Sequence, residues 1–397
     1  MQGKTALTIT SFSNSDIFSS NKIIYIFLLL FCLQLPSLAP IIRYLHIGMY
    51  WFLPSYLIIF VIFYFFLLSK SLQSLYFQKL LDSSFTTLIL LLFLLIINAI
   101  LYHHELVLQS IGRGTDARDA LTFTGYNLVH GYFPYSHLTY LKNPESAGPG
   151  LIIFALPFTY SGSYGLLIPL LITTSAFAIK IITRSAFNTN LYLLCLFSSP
   201  AVMQFLAEAN DYLIIGLVYG LIAVVLFYFW GKNWLYDISF IVFIGVLATA
   251  RLNFFYLAPL LGFFIWKRNK KQGIYFALTG LLITLSIHIG FYLWNPHHYT
   301  PLYVIHYARY TFNNAYGLSI LISACVLSGI ITIAAVKNTL GSWLFFLWLC
   351  LTTPLAVGAL FCLMNEHWNI QGIGLGYITL TAPILIMWIS MCHKNKI

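Results

Sequence analysis

Long apolar runs recur along the whole chain, and they constrain its fold more than any other feature. Most are close to the 20 or so residues that an α-helix needs to cross a hydrocarbon core, and only short polar stretches separate them. Charged residues make up 8% of the chain, whereas a soluble globular domain carries about 25%. The sequence therefore predicts an all-α, polytopic membrane helix bundle that forms a single integral-membrane domain over residues 1–397.

Twelve transmembrane helices are predicted from these runs. They lie near 23–40, 49–68, 84–102, 163–183, 191–205, 211–230, 235–250, 253–266, 273–294, 317–336, 341–361 and 370–391. A further apolar run, 151–158, is too short to cross, and Pro149, Gly150 and Pro157 bracket it. We interpret it as a re-entrant or interfacial helix that packs against protein.

Basic residues set the predicted orientation. The net charge is +10, and the densest cluster is Lys267-Arg268-Asn269-Lys270-Lys271 in a short loop. Such loops concentrate on the cytoplasmic side of a membrane. Alternation from this loop places the polar N-terminus, 1–22, and the C-terminus in the cytoplasm of a multi-pass protein of the cell (inner) membrane. Because the basic residues sit between spans, nucleic acid is not an expected partner.

Two long segments fall on the predicted non-cytoplasmic side, at 103–148 and 294–314. Most of the acidic residues collect on that side too. Both segments are rich in aromatic residues, which suit a membrane interface, so we expect short surface helices that roof a cavity. The six cysteines show no CxxC or other metal-type spacing, and they are interpreted as small core residues.

The segment 103–148 carries the most concentrated charges. Asp116 and Asp119 lie close to Arg113 and Arg118. Two carboxylates at a membrane surface can act as a general base and as partners of a metal ion or a phosphate. The alternative is a set of surface ion pairs that only shape the loop. No glycine-rich nucleotide-binding motif occurs in the chain.

Five residues of this region form a recognisable pattern, namely Asp116, Gly131, Pro134, Tyr135 and Pro149. The pattern resembles the first large loop of the GT-C superfamily, integral-membrane glycosyltransferases that use polyprenyl-phosphate sugars. There an Asp near the start of the loop precedes Gly-x-x-Pro-Tyr and a proline-rich entry to the next helix. This chain differs in having Asp119 where many members have an aromatic residue.

Further segments are similar to the same superfamily, so that the resemblance covers most of 84–391 as architecture. They are Ser199-Pro200, Glu208-Ala209-Asn210-Asp211, Ala250-Arg251-Leu252-Asn253 and Trp294-Asn295-Pro296. Each motif is short and degenerate.

The resemblance implies roles for individual residues. Asp116 would be the general base that deprotonates an acceptor hydroxyl, with Asp119 as its substitute or positioning partner. Arg251 is the first candidate for binding the donor phosphate, and Arg309, which the resemblance does not cover, is a second candidate. Arg251 has the alternative of a snorkelling interface arginine. Arg309 has the alternative of holding the roof segment in place.

Four further residues are substrate-binding candidates: Tyr135, Asp211, Glu366 and His367. They can contact a sugar by ring stacking or by hydrogen bonds. Asp211 has the alternative of a helix cap, and Glu366-His367 that of an interface anchor. Histidine spacing matches no zinc motif, so no metal ligands are predicted. The resemblance leaves room for a divalent metal ion but for no other cofactor.

The sequence therefore predicts an inverting, mannosyltransferase-like hexosyltransferase of the cell envelope. It would move a sugar from a lipid-linked donor to a lipid, glycan or protein acceptor on the non-cytoplasmic membrane face. The alternatives are a transporter or flippase, an O-antigen-type polymerase or ligase, and a scaffold. Ionisable residues gather at one face and leave the mid-span positions nearly bare, which favours an interfacial reaction over a transmembrane path.

Overall fold

Uninterrupted runs of Leu, Ile and Phe form helices because a chain in lipid must satisfy its backbone hydrogen bonds internally. A computed structural model describes residues 22–45, 49–69, 74–303, 305, 311–312, 315–365 and 375–392. The structure is 82% helical, and the described residues contain no β-strand. Within them, eight helices are long and apolar enough to cross a membrane, or nine if one bent pair counts as a span. The protein is thus a multi-pass α-helical membrane protein, as predicted. The eight or nine spans counted among the described residues compare with twelve predicted from the sequence.

Most of the helices follow one another with short connections. They are α1 (Lys22–Leu29), α2 (Leu35–Leu45), α3 (Met49–Leu68), α4 (Leu75–Leu81), α5 (Ser84–Ser110), α6 (Asp119–Val129), α7 (Pro149–Tyr160), α8 (Leu167–Thr183), α9 (Ala186–Phe197), α10 (Pro200–Ala207), α11 (Asp211–Phe229), α12 (Trp234–Leu247), α13 (Leu257–Trp266), α14 (Lys270–Trp294), α15 (Ala315–Ala335), α16 (Leu340–Asn365) and α17 (Ala382–Cys392). A π-helical turn, Leu30–Gln34, joins α1 to α2, and 3₁₀ turns lie at Tyr164–Leu166, Leu252–Phe254, Pro296–His298, Thr300–Leu302 and Leu375–Thr381.

Many of these helices begin at a Ser or Asn whose side chain accepts a hydrogen bond from a backbone amide of the first turn. These capping residues are Ser74, Ser83, Ser185, Ser199, Asn210, Asn233 and Asn269. The caps satisfy amides that a helix leaves unpaired at its start, and they fix the residue at which each helix begins.

One end of the bundle holds the basic loop and is called the basic end below. Arg268 donates to the Phe227 carbonyl at 2.7 Å. Its guanidinium lies 3.9 Å and 4.5 Å from the ring centroids of Phe227 and Trp343. At the same end Lys180 donates to the Ser84 hydroxyl at 2.9 Å, which joins the end of α8 to the start of α5.

The predicted span 191–205 is not one straight helix. Instead α9 and α10 meet at an 80° bend. Pro200 starts α10 and has no amide hydrogen to continue the hydrogen bonding of α9. The pattern of apolar residues gave the position of the segment correctly but not its break.

Polar side chains of the first helices satisfy the backbone at this bend. Ser199 donates to the Leu33 carbonyl at 3.0 Å, and Gln34 donates to the Ser198 carbonyl at 3.1 Å. Gln34 is fully buried and also hydrogen-bonds to the Tyr64 hydroxyl. The π-helical turn therefore lies against the broken helix, and the two irregular segments supply each other's hydrogen bonds.

The predicted short helix over 151–158 is α7, which has 12 residues and spans only about 18 Å. Its start is fixed by the Gly148 amide, which donates to the Ala250 carbonyl at 2.8 Å. Shortly after it ends, the Tyr164 hydroxyl donates to the Ala209 carbonyl at 2.7 Å. Both ends of α7 therefore lie at the end of the bundle opposite the basic end, called the site end below.

Candidate functional site

The loop between α5 and α7 covers the site end, and Asp116 joins its two halves. The Thr139 hydroxyl and the Asn143 amide donate to Asp116 Oδ2 at 2.5 Å and 2.9 Å. The Asp116 side chain is half-buried. The predicted base thus already accepts two hydrogen bonds from the same loop, and it holds that loop closed.

Asp119, the predicted substitute for Asp116, begins α6 and is only 5% exposed. The Tyr140 amide approaches its Oδ2 atom at 3.4 Å. Burial raises the pKa of Asp119, while the Tyr140 amide and Arg118 lower it by less. A carboxylate with a raised pKa in a sheltered site is the usual setting of a general base. On this ground Asp119 is as good a candidate as Asp116.

Glu145 is a site residue that the sequence analysis missed. Its side chain is 0% exposed, and neither carboxyl oxygen has a hydrogen-bond partner among the described residues. Burial, followed by the charge of Asp119, raises the pKa of Glu145 to about 9. The available signal was an acid placed between Pro144 and Ser146 at the entry to α7.

Arg251 and Asp211 form a buried ion pair across the site end. Their side chains are 12% and 4% exposed. Arg251 Nη1 also donates to the Ser146 hydroxyl at 2.7 Å and carbonyl at 3.1 Å, and the guanidinium lies 4.7 Å from the ring centroid of Tyr212. The snorkelling interpretation of Arg251 is therefore wrong, because the charge is buried against a carboxylate. Only Nε lacks a partner within the described residues, so the predicted phosphate contact needs that atom or displacement of Ser146.

Asp211 is not the cap of α11. That position belongs to Asn210, whose side-chain oxygen accepts from the Tyr212 amide at 3.0 Å. The Asn210 side chain in turn donates to Glu208 at 3.0 Å. With the cap supplied by its neighbour, Asp211 is free to pair with Arg251, and the capping interpretation is wrong.

Tyr135, predicted to contact substrate, lies in an enclosed aromatic group. It is 2% exposed, and its hydroxyl donates to the Ala147 carbonyl at 2.8 Å. Its ring centroid lies 5.6 Å from those of Phe133 and of Tyr299. The Tyr299 hydroxyl hydrogen-bonds with His288 Nδ1 at 2.5 Å. In this arrangement Tyr135 fixes the loop to the segment after α14 and presents no open face to a sugar.

Three predicted site residues, Arg309, Glu366 and His367, lie outside the described residues. Within the described ranges, no group of three or more His, Cys, Asp or Glu side chains could hold a metal ion. Five predicted site residues do come together. Asp116, Asp119 and Tyr135 belong to the loop 111–148, Arg251 binds Ser146 of that loop, and Asp211 pairs with Arg251.

An apolar groove of about 590 Å³ runs between α7 and α12. Ile153 and Phe154 line it on one side, and Val242, Phe243 and Val246 line it on the other. Its Val246 end adjoins the site, because the Gly150 amide donates to the Thr249 hydroxyl at 2.7 Å just before Arg251. The groove therefore borders the last turn of α12, which is followed by Arg251 a few residues later.

No protein-family model, no curated protein and no solved structure matches this chain.

Proposed function

We propose that the protein is a GT-C-type membrane glycosyltransferase that transfers a sugar, with inversion, from a polyprenyl phosphate to a lipid, glycan or protein acceptor. One observation carries the proposal. A folded loop at one end of an apolar bundle holds Asp116 and Asp119 next to the segment that binds the Arg251–Asp211 pair. Base and cation thus belong to one hydrogen-bonded unit.

The chemistry requires few groups. An aspartate takes the proton of the acceptor hydroxyl while the oxygen attacks the anomeric carbon. The bond from that carbon to the phosphate oxygen breaks, and the leaving polyprenyl phosphate keeps the electron pair. A buried cation such as Arg251 stabilises the charge that develops on the phosphate. The groove beside α7 offers an apolar surface to the donor's lipid tail, since Val246 and Leu247, which line one part of it, lie shortly before the same arginine in the chain.

A twelve-crossing bundle is part of the proposal. Its crossings are the nine spans counted above, the helix α3, and the short helices α12 and α13, which have 14 and 10 residues. Trp230, just before α12, donates to Gln272 at the basic end, while Arg251, just after it, binds Asp211 at the site end. Each of these short helices therefore links one end of the bundle to the other.

A transfer assay tests the proposal. The purified full chain is incubated with a panel of polyprenyl-phosphate sugars and a native lipid extract, and donor consumption is followed by mass spectrometry. Asp116→Asn and Asp119→Asn are compared with Asp237→Asn, since Asp237 accepts from the Gly231 amide at the basic end. We expect consumption by wild type and the control and a loss of at least about 100-fold in one loop variant. Equal activity in all four proteins would exclude a catalytic role for the loop acids.

A transporter of lipid-linked glycans is the second candidate, favoured by the broken helix between α9 and α10. Discontinuous helices and π-helical turns inside a bundle often mark transport sites. Here Gln34, fully buried, connects the bend to Tyr64. In vesicles, Gln34→Leu would stop glycan movement under this hypothesis and leave sugar transfer intact under the first. The polymerase or ligase alternative stays a prediction, since Arg309 lies outside the described residues.

A further inference from the structure

Glu145 is the most unusual ionisable group of the described residues. It is fully buried, and neither of its carboxyl oxygens has a hydrogen-bond partner in the described part of the chain. An ionised carboxylate in such a place costs several kcal/mol unless a cation or several donors compensate it. A protonated carboxyl avoids most of that cost, because it carries no charge. The question is therefore whether any neighbouring group compensates the charge.

Most polar groups near Glu145 have other partners. The Tyr135 hydroxyl donates to the Ala147 carbonyl, and the Tyr299 hydroxyl hydrogen-bonds with His288. The Arg251 guanidinium is engaged by Asp211 and Ser146, and its Nε atom, which has no partner among the described residues, makes no hydrogen bond to Glu145. The Thr300 hydroxyl donates to the backbone carbonyl of Glu145 and not to its side chain.

The group that acts on Glu145 electrostatically is a second carboxyl. Asp119, which is 5% exposed, raises the pKa of Glu145 after the larger effect of burial. Two carboxylates in one sheltered place cannot both be ionised without a large repulsion, so one of them keeps a proton. Burial raises the pKa of Asp119, but the Tyr140 amide and Arg118 partly offset this effect, whereas no hydrogen-bond donor among the described residues does so for Glu145. The proton therefore belongs on Glu145.

We propose that Glu145 is a positioning residue that works as a neutral carboxylic acid, so that Asp119 is the ionised member of the pair and the base of the site. The second half of this proposal rests on the proposed glycosyltransferase function. In the transfer step the acceptor proton moves to Asp119, the bond to the anomeric carbon forms and the bond to the phosphate breaks. Glu145 keeps its own proton throughout, and Asp119 then releases the acquired proton to water.

This assignment has a pH consequence. Between the pKa of Asp119, which burial raises, and about pH 9 the pair carries one negative charge, and above about pH 9 Glu145 ionises and adds a second one. The second charge repels the donor phosphate, so the doubly ionised pair disfavours donor binding. Transfer by the wild type therefore declines about tenfold per pH unit above the pKa of Glu145. The side chain of the Glu145→Gln variant cannot ionise. Its transfer activity therefore stays near the variant's own maximum at alkaline pH.

Infrared spectroscopy tests the protonation without any activity. The carbonyl stretch of a protonated carboxyl is recorded at pH 7 on the purified full chain for wild type, Glu145→Gln and Asp119→Asn. Glu105→Gln is the matched control, since Glu105 is a buried acid whose carboxylate accepts the Thr115 amide at 2.7 Å. We expect the Glu145 band in wild type, Asp119→Asn and Glu105→Gln, its absence in Glu145→Gln, and its loss from wild type above about pH 9.

Two outcomes overturn the proposal. In the first, wild type at pH 7 shows no band of a protonated carboxyl. In the second, the band persists in Glu145→Gln and is lost only when another residue is substituted. The failures of the two proposals are distinguishable. A Glu145 band without sugar transfer in any protein would remove the glycosyltransferase and leave the neutral acid in place. Sugar transfer without the band would leave the enzyme and remove the role given to Glu145.

Discussion

Replacing Arg251 by Gln tests how the loop 111–148 is held to the helix bundle. The change removes the ion pair with Asp211 and two hydrogen bonds to Ser146, and it leaves a carboxylate that is 4% exposed without its counter-charge. Breaking a buried ion pair from one side costs about 3–5 kcal/mol. In the double variant Arg251→Gln/Asp211→Asn no unpaired charge remains. Its loss should be smaller, at about 1 kcal/mol for each missing hydrogen bond.

The six cysteines provide the assay. All are free, and four are buried while two are half-buried, so a thiol-reactive fluorescent dye reports their exposure as the protein unfolds in detergent. Arg184→Gln is the control, since Arg184 is exposed at the end of α8. We expect the unfolding midpoints to rank control, double variant and then Arg251→Gln, which unfolds at the lowest temperature. The reasoning is refuted if Arg251→Gln has the same unfolding midpoint as the control, or if the double variant is less stable than Arg251→Gln.

Three other changes have expected outcomes in the same dye assay. Gly148→Ala should destabilise the protein strongly, because the new Cβ would lie 1.8 Å from the Thr249 carbonyl oxygen. Gly290→Ala is the matched control, since its new Cβ would have no atom within 4 Å. It should be neutral or stabilise the protein by up to about 1 kcal/mol. Between pH 5 and 8 the wild type should lose stability as pH rises. The pKa of Glu145 is about 9 in the folded protein against 4.5 in the unfolded chain, so only the folded state keeps the proton in this range. The free energy of unfolding should therefore fall by about 1.4 kcal/mol per pH unit. In Glu145→Gln this dependence on pH should be absent. Tyr135→Phe should lose about 1 kcal/mol, because its hydrogen bond to a backbone carbonyl is removed while the ring packing stays. A flat pH response of the wild type, or equal midpoints for the two glycine variants, would contradict these expectations.

Much of the helical architecture could be predicted, because apolar length is a property of the sequence alone. The span predicted at 211–230 is α11, which covers Asp211–Phe229. The span predicted at 84–102 continues to Ser110 in α5. Hydropathy reports where apolar residues stop, whereas a helix stops where its hydrogen bonds do, and the polar residues after Tyr102 continue the helix.

The irregular segments could not be predicted for a different reason. The bend before Pro200 persists because Gln34, distant in sequence, satisfies the backbone there. A proline in a predicted span indicates a possible break, but the residues that stabilise the break come from another helix. Periodicity within one segment carries no information about them.

The candidate site was partly predictable. The alternation of basic and acidic loops placed Asp116, Asp119, Asp211 and Arg251 on one face, and the structure brings these four to one end of the bundle. The role of Glu145 was not predictable, because it depends on burial of its side chain at the entry to α7. An acid in a loop is normally solvated, and only the folded loop shows that this one is not.

The shortness of α12 and α13 has a consequence for the membrane itself. As crossing helices of 14 and 10 residues they would reach only about 21 Å and 15 Å, against a hydrocarbon core of about 30 Å. A bilayer accommodates such hydrophobic mismatch by thinning around the short segments. Arg251 follows α12 directly, so lipid headgroups and water would approach it more closely here than beside the long helix α5. The thickness of the surrounding bilayer then becomes a property of the site, set by two short helices.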